Sequence, residues 1–435
     1  MTTSATNATQ QQPASVVNAL DPTAINRAAR RALDRCDELA MCTDRPGEVA
    51  RLFCSSAMQS AHEKVRGWMQ AAQLATRTDA AGNLVGSLSS SSPSAKTLLV
   101  GSHLDTVVNA GKYDGILGVM LGLALAELAN EAGLELPFHL DVIAFSEEEG
   151  VRYQMPYIGS KAIVGELSAE LLARKDAAGI TLGDALRNFG CDPAKITSAA
   201  IDANSVLAYL EPHIEQGPVL EREQLPIGVV TGIAGQTRAA FQFTGRAGHA
   251  GTVPMDCRHD ALTAAAQFII AVEELARSRT GLVATVGQIE TVPNVSNVIA
   301  GEVILRLDVR HLHDDERDAA FRELTHQAAL IAEEREIEFD MTAVQHHPAI
   351  ECSAEQIKLL EQSIVDAGIR PFKLPSGAGH DAVIMSKRFP ISMLFIRCAG
   401  GVSHHPDENV TEADVAVALD VLWRTVLKLA AQSTT

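Results

Sequence analysis

The sequence predicts an α/β protein in which a mostly parallel sheet is interrupted by an inserted α+β domain. Short, near-continuous apolar runs alternate with segments of helical periodicity in the first half of the chain and again near its C-terminal end. That alternation is typical of parallel strands covered by helices on both faces. Between these two parts, strands and helices follow the order β-α-β-β-α-β. This order indicates a split β-α-β, ferredoxin-like domain.

The composition limits the class of protein. The chain has 435 residues, 46% of them hydrophobic, which is enough to fill the cores of two or three domains. Its formal net charge is -18, whereas binding to nucleic acid requires a surplus of Lys and Arg. The seven cysteines are an odd number and form no CxxC pair. They indicate neither a disulfide framework nor a thiolate zinc site, and a cytoplasmic location fits them best.

The N-terminal segment, residues 1–15, is rich in Thr, Ser, Gln and Asn. It lacks the basic and apolar regions of a signal peptide. We expect this segment to be a disordered tail, and we expect no membrane partner.

The elements of the first domain follow that tail. The pattern predicts a helix pair within residues 22–74 with a break at Pro46, a strand at 97–100, a helix at 117–131, a strand at 139–145, helical segments between 163 and 189, a strand at 206–210, a helix at 354–367 and a strand at 391–396. Alternation of this kind builds a parallel sheet with helices on both faces.

The inserted domain is predicted from strands at residues 237–244, 282–291, 298–311 and 337–344 and from helices at 260–277 and 314–335. The strand that ends near Arg310 alternates apolar and polar residues, as an antiparallel sheet with one solvated face requires. A potential metal ligand, His404, lies beyond this segment. We therefore assign residues 16–230 and 347–435 to the first domain and residues 231–346 to the insertion.

Potential metal ligands lie just beyond the apolar runs: His103, Asp114, Glu149, His213 and His404. Ligands of open parallel sheets gather at the carboxyl ends of the strands, so we expect these side chains to converge. Imidazoles combined with carboxylates are typical of metal-dependent hydrolases, in which one carboxylate can bridge two cations. The layout therefore predicts a two-metal hydrolase.

Several of these residues also have an ordinary structural interpretation. Asp105 lies two residues after His103 and could orient its ring, or the two could be a capping Asp and a surface His. Asp114 precedes a predicted helix and could be its N-cap. The acidic run Glu147–Glu149 could bind a cation while one carboxylate takes a proton from water, or it could be a solvated loop.

Eight motifs resemble, in the same order, those of the M20-type amidases of the hydantoinase/carbamoylase family. They are GSHLD (101–105), YDG (113–115), EEG (148–150), EPHIEQGP (211–218), GHAGTVPM (248–255), PNVSNVI (293–299), DVR (308–310) and SHHP (403–406). The resemblance covers nearly the whole chain. It implies a metallopeptidase-like catalytic domain with an inserted lid and dimerisation domain, and therefore a homodimer.

The resemblance also implies a set of metal ligands. His103, Asp114 and His213 would bind one divalent ion, and Asp114, Glu149 and His404 a second, with Asp114 bridging the two. Such a donor set suits Zn, or Mn, Co or Ni.

Catalytic roles follow from the same resemblance. Glu148 would be the general base, and Asp105 would support the site beside His103. His249, in the lid, would stabilise the developing oxyanion in the site of the partner subunit, although a histidine in a glycine-rich turn has an ordinary structural interpretation too.

Substrate contacts are implied as well. Arg310 would pair with a substrate carboxylate, and Asn297 and Gln216 would hold the carboxylate and ureido groups by hydrogen bonds. His380, in another matching motif, is placed with these residues in a supporting role that shapes the loop.

Members of this family cleave C–N bonds of ureido groups, releasing ammonia and carbon dioxide from small carboxylate-bearing substrates. Allantoate is the first choice of substrate here, because residues 108–115 look more like that branch. The alternatives are an N-carbamoyl-L-amino acid hydrolase or a β-ureidopropionase. An M20 peptidase or aminoacylase, and an inactive scaffold lacking a ligand or a base, are further alternatives.

Overall fold

The computed structural model describes residues 20–433, so the tail predicted at residues 1–15 lies outside the described residues. The chain divides into two compact units. The first comprises the described residues up to Gly228, Lys358–Pro371 and the residues from Leu394 onward; the second comprises Val229–Ile357 and Phe372–Met393. Residues 231–346, the predicted insertion, all lie in the second unit. Its role as a lid stays a prediction.

The helices are α1 (Pro22–Ala40), α2 (Ser56–Ala71), α3 (Ile116–Glu131), α4 (Ile158–Ile163), α5 (Ala169–Leu172), α6 (Leu182–Phe189), α7 (Val219–Arg222), α8 (Ala261–Ser278), α9 (Asp314–Glu334), α10 (Ala354–Asp366), α11 (Asp381–Met385) and α12 (Glu412–Ser433). Short 3-10 turns occur at Pro193–Ala199, Ala203–Ser205, Met255–Cys257 and Ala399–Gly401. Within the described range, no helix combines the length and apolarity needed to cross a bilayer.

The strands are β1 (Ala75–Thr78), β2 (Leu84–Leu88), β3 (Thr97–His103), β4 (His139–Phe145), β5 (Val206–Ile214), β6 (Ile227–Ile233), β7 (Gly235–Thr244), β8 (Gly248–His249), β9 (Val283–Val292), β10 (Val298–Ile299), β11 (Glu302–His311), β12 (Glu338–His347), β13 (Ile350–Glu351), β14 (Lys373–Ser376) and β15 (Ile391–Ile396).

The sheet of the first unit runs β1-β2-β4-β3-β5. β3 is parallel to β4 and to β5, and the β1–β2 hairpin extends the sheet in antiparallel fashion from β4. Helix α3 is apolar on all sides and almost wholly buried. At Gly118 it approaches β5 so closely that a Cβ atom would collide with the Pro212 carbonyl. The predicted α/β class with a mostly parallel sheet is confirmed.

The second unit contains an antiparallel sheet in the order β12-β7-β11-β9. Its elements follow β7-α8-β9-β11-α9-β12 along the chain, which is the predicted split β-α-β order. Buried residues of α8 and α9 form one core with the inward residues of the sheet. β11 alternates buried and less buried positions as predicted. β8 and β10 form a separate two-stranded ribbon.

The strand predicted at residues 298–311 is corrected by the structure. It divides into β10 and β11, and Ala300 and Gly301 separate the two. The Gly301 N–H donates to the Val292 carbonyl, and the Gly301 carbonyl accepts from the Gly245 N–H. These bonds turn the chain from the ribbon into the four-stranded sheet. The sequence patterns also missed β1, β2, β6, β14 and α12.

The stacked phenylalanines of the second unit predict a large effect on stability. Phe268 is fully buried on α8, and its ring stacks on Phe241 with centroids 4.9 Å apart. Phe268→Ala should lower the free energy of unfolding by about 3–5 kcal/mol, because it leaves a cavity. Leu330→Ala on α9, where the side chain is 44% exposed, is the control and should cost less than about 1 kcal/mol. Urea denaturation measures both, and equal effects would contradict the packing described.

Candidate functional site

The five potential metal ligands lie in the first unit at neighbouring places. His103 ends β3, Asp114 precedes α3, Glu149 follows β4, His213 lies near the end of β5, and His404 follows the turn after β15. β3 lies between the parallel strands β4 and β5, so the carboxyl ends of all three meet at one edge of the sheet. The structure brings the five side chains together there.

Asp114 lies at the centre of this group and is buried. Its Oδ1 is 3.2 Å from His213 Nε2 and 3.7 Å from His103 Nε2, and its Oδ2 is 3.0 Å from His404 Nε2. The two oxygens thus face different histidines. The N-cap of α3 is Gly115, so the alternative that Asp114 caps the helix is wrong. Gly115 has φ 73°, and a Cβ atom there would collide with the His103 ring.

Asp114 belongs to two sets of ligand atoms that are close enough to share a cation. His103, Asp114 and His213 form one set, and Asp114, Glu149 and His404 form the other, with ligand atoms within 4.8 Å of one another in each. A cation bound at about 2.0–2.2 Å to N and O donors needs donor atoms roughly 3–4 Å apart. The buried His, Asp and Glu groups are therefore positioned to bind a metal.

The charges of the group also fit a cation. Burial opposes ionisation of Asp114, but hydrogen bonds from His103, His213 and His404 outweigh it and hold the pKa of Asp114 well below its usual value. The hydrogen bond to Asp114 raises the pKa of His404 to about 9. Burial and the charge of Asp114 raise the pKa of Glu149 to about 7. In the metal-free protein, protons therefore supply the positive charge that these carboxylates require.

The two buried histidines have ring orientations that suit metal ligands. His103 Nδ1 lies 3.0 Å from the Asp105 carbonyl oxygen and 3.5 Å from its carboxylate, and His213 Nδ1 lies 2.9 Å from the Ile214 carbonyl oxygen. An Nδ1–H that donates to a carbonyl oxygen leaves the Nε2 lone pair available on the side of Asp114. The expected support of His103 by Asp105 thus comes mainly from the backbone of Asp105.

The Asp105 carboxylate holds the acidic run. Its two oxygens accept the backbone N–H groups of Glu148 and Glu149, at 2.9 and 3.0 Å. Asp105 and His103 are both 1% exposed. The alternative of a capping Asp with a surface His is therefore wrong. Asp105 connects the end of β3 to the loop after β4.

Glu147 and Glu148 of the acidic run are buried, and Glu149 is half-buried. Glu147 is 1% exposed and Glu148 8% exposed, and burial, with the charge of Asp105, raises the pKa of Glu147 well above its usual value. The turn between β1 and β2 supports this loop, because the Asn83 side chain accepts the Ser146 N–H at 3.1 Å and the Ala81 carbonyl accepts the Ser146 hydroxyl. The alternative of a solvated loop is wrong.

Gln216 and Ser403 also contact Asp114. Gln216 Nε2 donates to its Oδ2 at 2.8 Å, and Ser403 Oγ lies 3.1 Å from the same oxygen. Gln216 and His404 have left-handed backbones, with φ of 58° and 55°, a conformation that is costly for residues other than glycine. The loops hold both residues in this strained conformation, which directs their side chains to the centre.

Glu408 is a supporting residue that the sequence patterns did not reveal. One oxygen accepts the N–H groups of Tyr113 and Asp114, at 2.8 and 3.1 Å, and the other accepts the Ser403 hydroxyl at 2.9 Å. It therefore connects the Asp114 loop to the His404 loop. Its place two residues after the SHHP motif was the available signal. His405 is exposed, and its Nδ1 lies 3.5 Å from the Asp407 carboxylate.

The remaining predicted residues lie in the second unit. His249 and Asn297 are exposed and adjoin across the β8–β10 ribbon, where the Ala250 N–H donates to the Asn297 carbonyl. Arg310 donates to both oxygens of Asp308 and to the Gly377 carbonyl. His380 is buried, with Nε2 2.9 Å from Ser376 Oγ. Arg310 and His380 thus contact the same 376–380 loop.

Comparison with known proteins gives consistent relatives. The profile of peptidase family M20/M25/M40 matches residues 99–428. The N-carbamoyl-L-amino acid amidohydrolase of Geobacillus stearothermophilus is 41% identical over 92% of this chain and 98% of its own length. The allantoate deiminase of Arabidopsis thaliana is 38% identical over 89% of this chain and 80% of its own length. A crystal structure of a hydantoinase/carbamoylase family amidase from Burkholderia multivorans has a TM-score of 0.87 and 29% identity. The match covers 92% of this chain and 98% of that one.

The pKa shifts predict how metal binding depends on pH. In the metal-free protein the pKa of Glu149 is raised to about 7 and the pKa of His404 to about 9. A metal binds only the deprotonated forms of these residues. Affinity for Mn²⁺ should therefore increase as pH rises from about 6 to about 9, with protons released on binding. Calorimetric titrations in two buffers of different ionisation heat count those protons. Glu149→Gln should release fewer protons than the unaltered protein, and the control His405→Gln should release as many. Proton release that did not vary with pH would contradict the assignment of Glu149 and His404 as metal ligands.

Proposed function

Because the chain belongs to peptidase family M20/M25/M40, we propose that its buried His and carboxylate centre hydrolyses the ureido C–N bond of a small substrate that carries a carboxylate. The chain is a hydrolase of C–N bonds, similar over most of its length to amidohydrolases and deiminases. The observation that carries the proposal is the orientation of Asp114, whose two oxygens face different ligand sets. That is the arrangement a bridging carboxylate needs.

The proposed centre holds two divalent ions per subunit. His103, Asp114 and His213 would hold one, and Asp114, Glu149 and His404 the other. Such ions, when bound, polarise a carbonyl and make water acidic enough to react near neutral pH. The N and O donors suit Zn, or Mn, Co or Ni.

Glu148 is the proposed general base. Its backbone N–H is fixed by Asp105, and its side chain is largely shielded from solvent. Its carboxylate would accept a proton from the attacking water and deliver it to the leaving nitrogen. A ureido compound and one water then give the amine, ammonia and carbon dioxide.

Arg310 is the proposed partner of the substrate carboxylate. Its guanidinium has five N–H donors, and the bonds to Asp308 and Gly377 use three of them. The other two are available for a planar carboxylate. Gln216 and Asn297 would supply neutral hydrogen bonds, and His380 would hold the loop that Arg310 contacts.

His249 is the proposed donor to the developing oxyanion. Its Nδ1 accepts the Gly251 N–H at 3.0 Å, so the neutral ring carries its proton on Nε2. An Nε2–H on an exposed ribbon can donate to an oxygen that gains negative charge. We propose that it acts in the site of the partner subunit.

A homodimer would form through the second unit. β9 is the outer strand of its sheet, and Val283, Ile289 and Val292 on it are exposed. An apolar outer strand is suited to pair with a second copy. All seven cysteines are free thiols in the described part of the chain, which supports the proposed cytoplasmic location.

Allantoate is the first proposed substrate, and an N-carbamoyl-L-amino acid is the second. The loop at 108–115 favours allantoate, whereas the relative with 41% identity is a carbamoyl amino acid hydrolase. N-carbamoyl-β-alanine carries the same carboxylate and ureido groups and is a third candidate. A peptide would not need the set Gln216, Asn297 and Arg310.

Ammonia release tests the substrate. The Mn- or Zn-loaded protein should release ammonia from allantoate faster than from N-carbamoyl-L-amino acids or N-carbamoyl-β-alanine, and metal-free protein should release none. Faster release from a carbamoyl amino acid would transfer the assignment to the second candidate. No ammonia from any of these compounds would contradict the proposed function.

Substitution of Glu148 tests the proposed base. Glu148→Gln keeps the shape of the side chain but accepts no proton, so turnover should fall at least about 100-fold. Metal content, measured by mass spectrometry, should stay at the level of the unaltered protein. Glu148→Asp, which retains a carboxylate, should keep more activity than Glu148→Gln. Near-normal turnover in Glu148→Gln would remove Glu148 from this role.

A further inference from the structure

A fully buried arginine lies next to the candidate metal centre. Arg51 is 0% exposed, and its guanidinium donates to backbone carbonyls instead of a carboxylate. Nε donates to Leu104 O at 2.6 Å, and Nη1 donates to Leu39 O and Cys42 O at 2.8 and 3.1 Å. Burying a charge is costly unless hydrogen bonds compensate it. Among the described residues Nη2 has no hydrogen-bond partner, so the three bonds of Nε and Nη1 hold the guanidinium in place.

Two of these acceptors lie at or just beyond the end of a helix. α1 ends at Ala40; Leu39 belongs to its last turn, and Cys42 follows its C-cap residue. The last carbonyls of a helix lack partners within it and carry partial negative charge, which favours a cation. The end of α1 thus fixes one side of the Arg51 guanidinium.

Arg51 also holds the two residues that flank Asp105 in the chain. Leu104, which precedes Asp105, accepts from the side chain. Thr106, which follows it, is bonded to the backbone of Arg51 twice: Arg51 N donates to Thr106 Oγ1 at 2.9 Å, and Thr106 N donates to Arg51 O at 3.0 Å. Asp105 therefore lies in a segment whose position Arg51 sets.

Asp105 connects this segment to the residues of the candidate site. Its carbonyl faces His103 Nδ1, and its carboxylate accepts the N–H groups of Glu148 and Glu149. A displacement of the segment 104–106 would move a proposed metal ligand on one side and the acidic loop on the other.

We propose that Arg51 is a positioning residue that sets metal affinity by holding the Leu104–Asp105–Thr106 segment against the end of α1. This deepens the proposed function and rests on it. Lysine cannot replace Arg51, because a single ammonium lacks the planar fork that reaches carbonyls in different directions.

Titration of the metal-free full-length protein with Co²⁺ tests the proposal, because cobalt absorption reports both affinity and ligand geometry. Arg51→Lys should weaken Co²⁺ binding by about 10- to 100-fold, as expected for loss of support behind metal ligands, and should alter the spectrum. With cobalt at saturation, kcat should fall while KM stays near its original value.

A second pair of variants keeps the test valid if Arg51→Lys does not fold. Thr106→Val removes the hydroxyl that holds the Arg51 N–H but keeps the shape of the side chain, and Thr106→Ser keeps the hydroxyl. Thr106→Val should weaken Co²⁺ binding, and Thr106→Ser should bind as the unaltered protein does.

Arg35→Met is the control for stability alone. Arg35 is also buried, on α1 of the same unit, where it pairs with Glu127 at 2.6 Å and lies over the Trp68 ring. Arg35→Met should lower the melting temperature and leave Co²⁺ affinity and spectrum unchanged. Normal Co²⁺ affinity in folded Arg51→Lys and Thr106→Val would overturn the proposal. Absence of ureido hydrolysis by the unaltered protein would overturn only the proposed function, since the cobalt titration needs no substrate.

Discussion

The ion pairing of one buried carboxylate with three histidines is the interaction on which the rest of the site depends. Asp114 is 4% exposed and has His103, His213 and His404 around it. Polar groups gathered away from water are costly when they are left without compensation. Asp114 supplies negative charge to all three rings, and the rings hold its pKa well below the usual range. Because each group compensates another, their positions are coupled, and the loops that carry them must be fixed together.

Backbone contacts fix those loops. Asp105 and Asn83 hold the acidic loop, and Glu408 connects the Asp114 loop to the loop of His404. These side chains accept backbone N–H groups, so they set the course of the chain itself and not only the rotamers of the ligands. That is how the left-handed backbone of Gln216 and His404 can persist, since a conformation of this kind costs of the order of 1–3 kcal/mol unless its surroundings enforce it.

Local pattern explains how much of this structure could be predicted. β3, β4, β5 and α3 have apolar runs or periodicities that decide their conformation within a few residues, and the convergence of His103 and His213 follows from parallel strand direction. β1 consists of Ala75–Thr78 and has no such run, so only its pairing with β2 makes it a strand. Glu408 accepts the N–H groups of Tyr113 and Asp114, which lie 295 and 294 positions earlier in the chain. Arg51 likewise acts through carbonyls of two other segments, and no local spacing indicates either contact.

The metal centre and the choice of substrate depend on different residues. Allantoate and carbamoyl amino acids share a carboxylate and a ureido group, so the proposed base and Arg310 serve both equally well. Discrimination depends on the protein groups that contact the part in which the two substrates differ. That part is a second ureido group in allantoate and an amino-acid side chain in a carbamoyl amino acid. A site built to hydrogen-bond a polar group rejects a substrate without it by about 10⁴-fold or more, whereas an apolar pocket separates close analogues by only about 10- to 200-fold. The size of the measured preference therefore reveals the kind of pocket as well as the substrate: a ratio above about 10⁴ for allantoate requires buried hydrogen-bonding groups that its second ureido group satisfies.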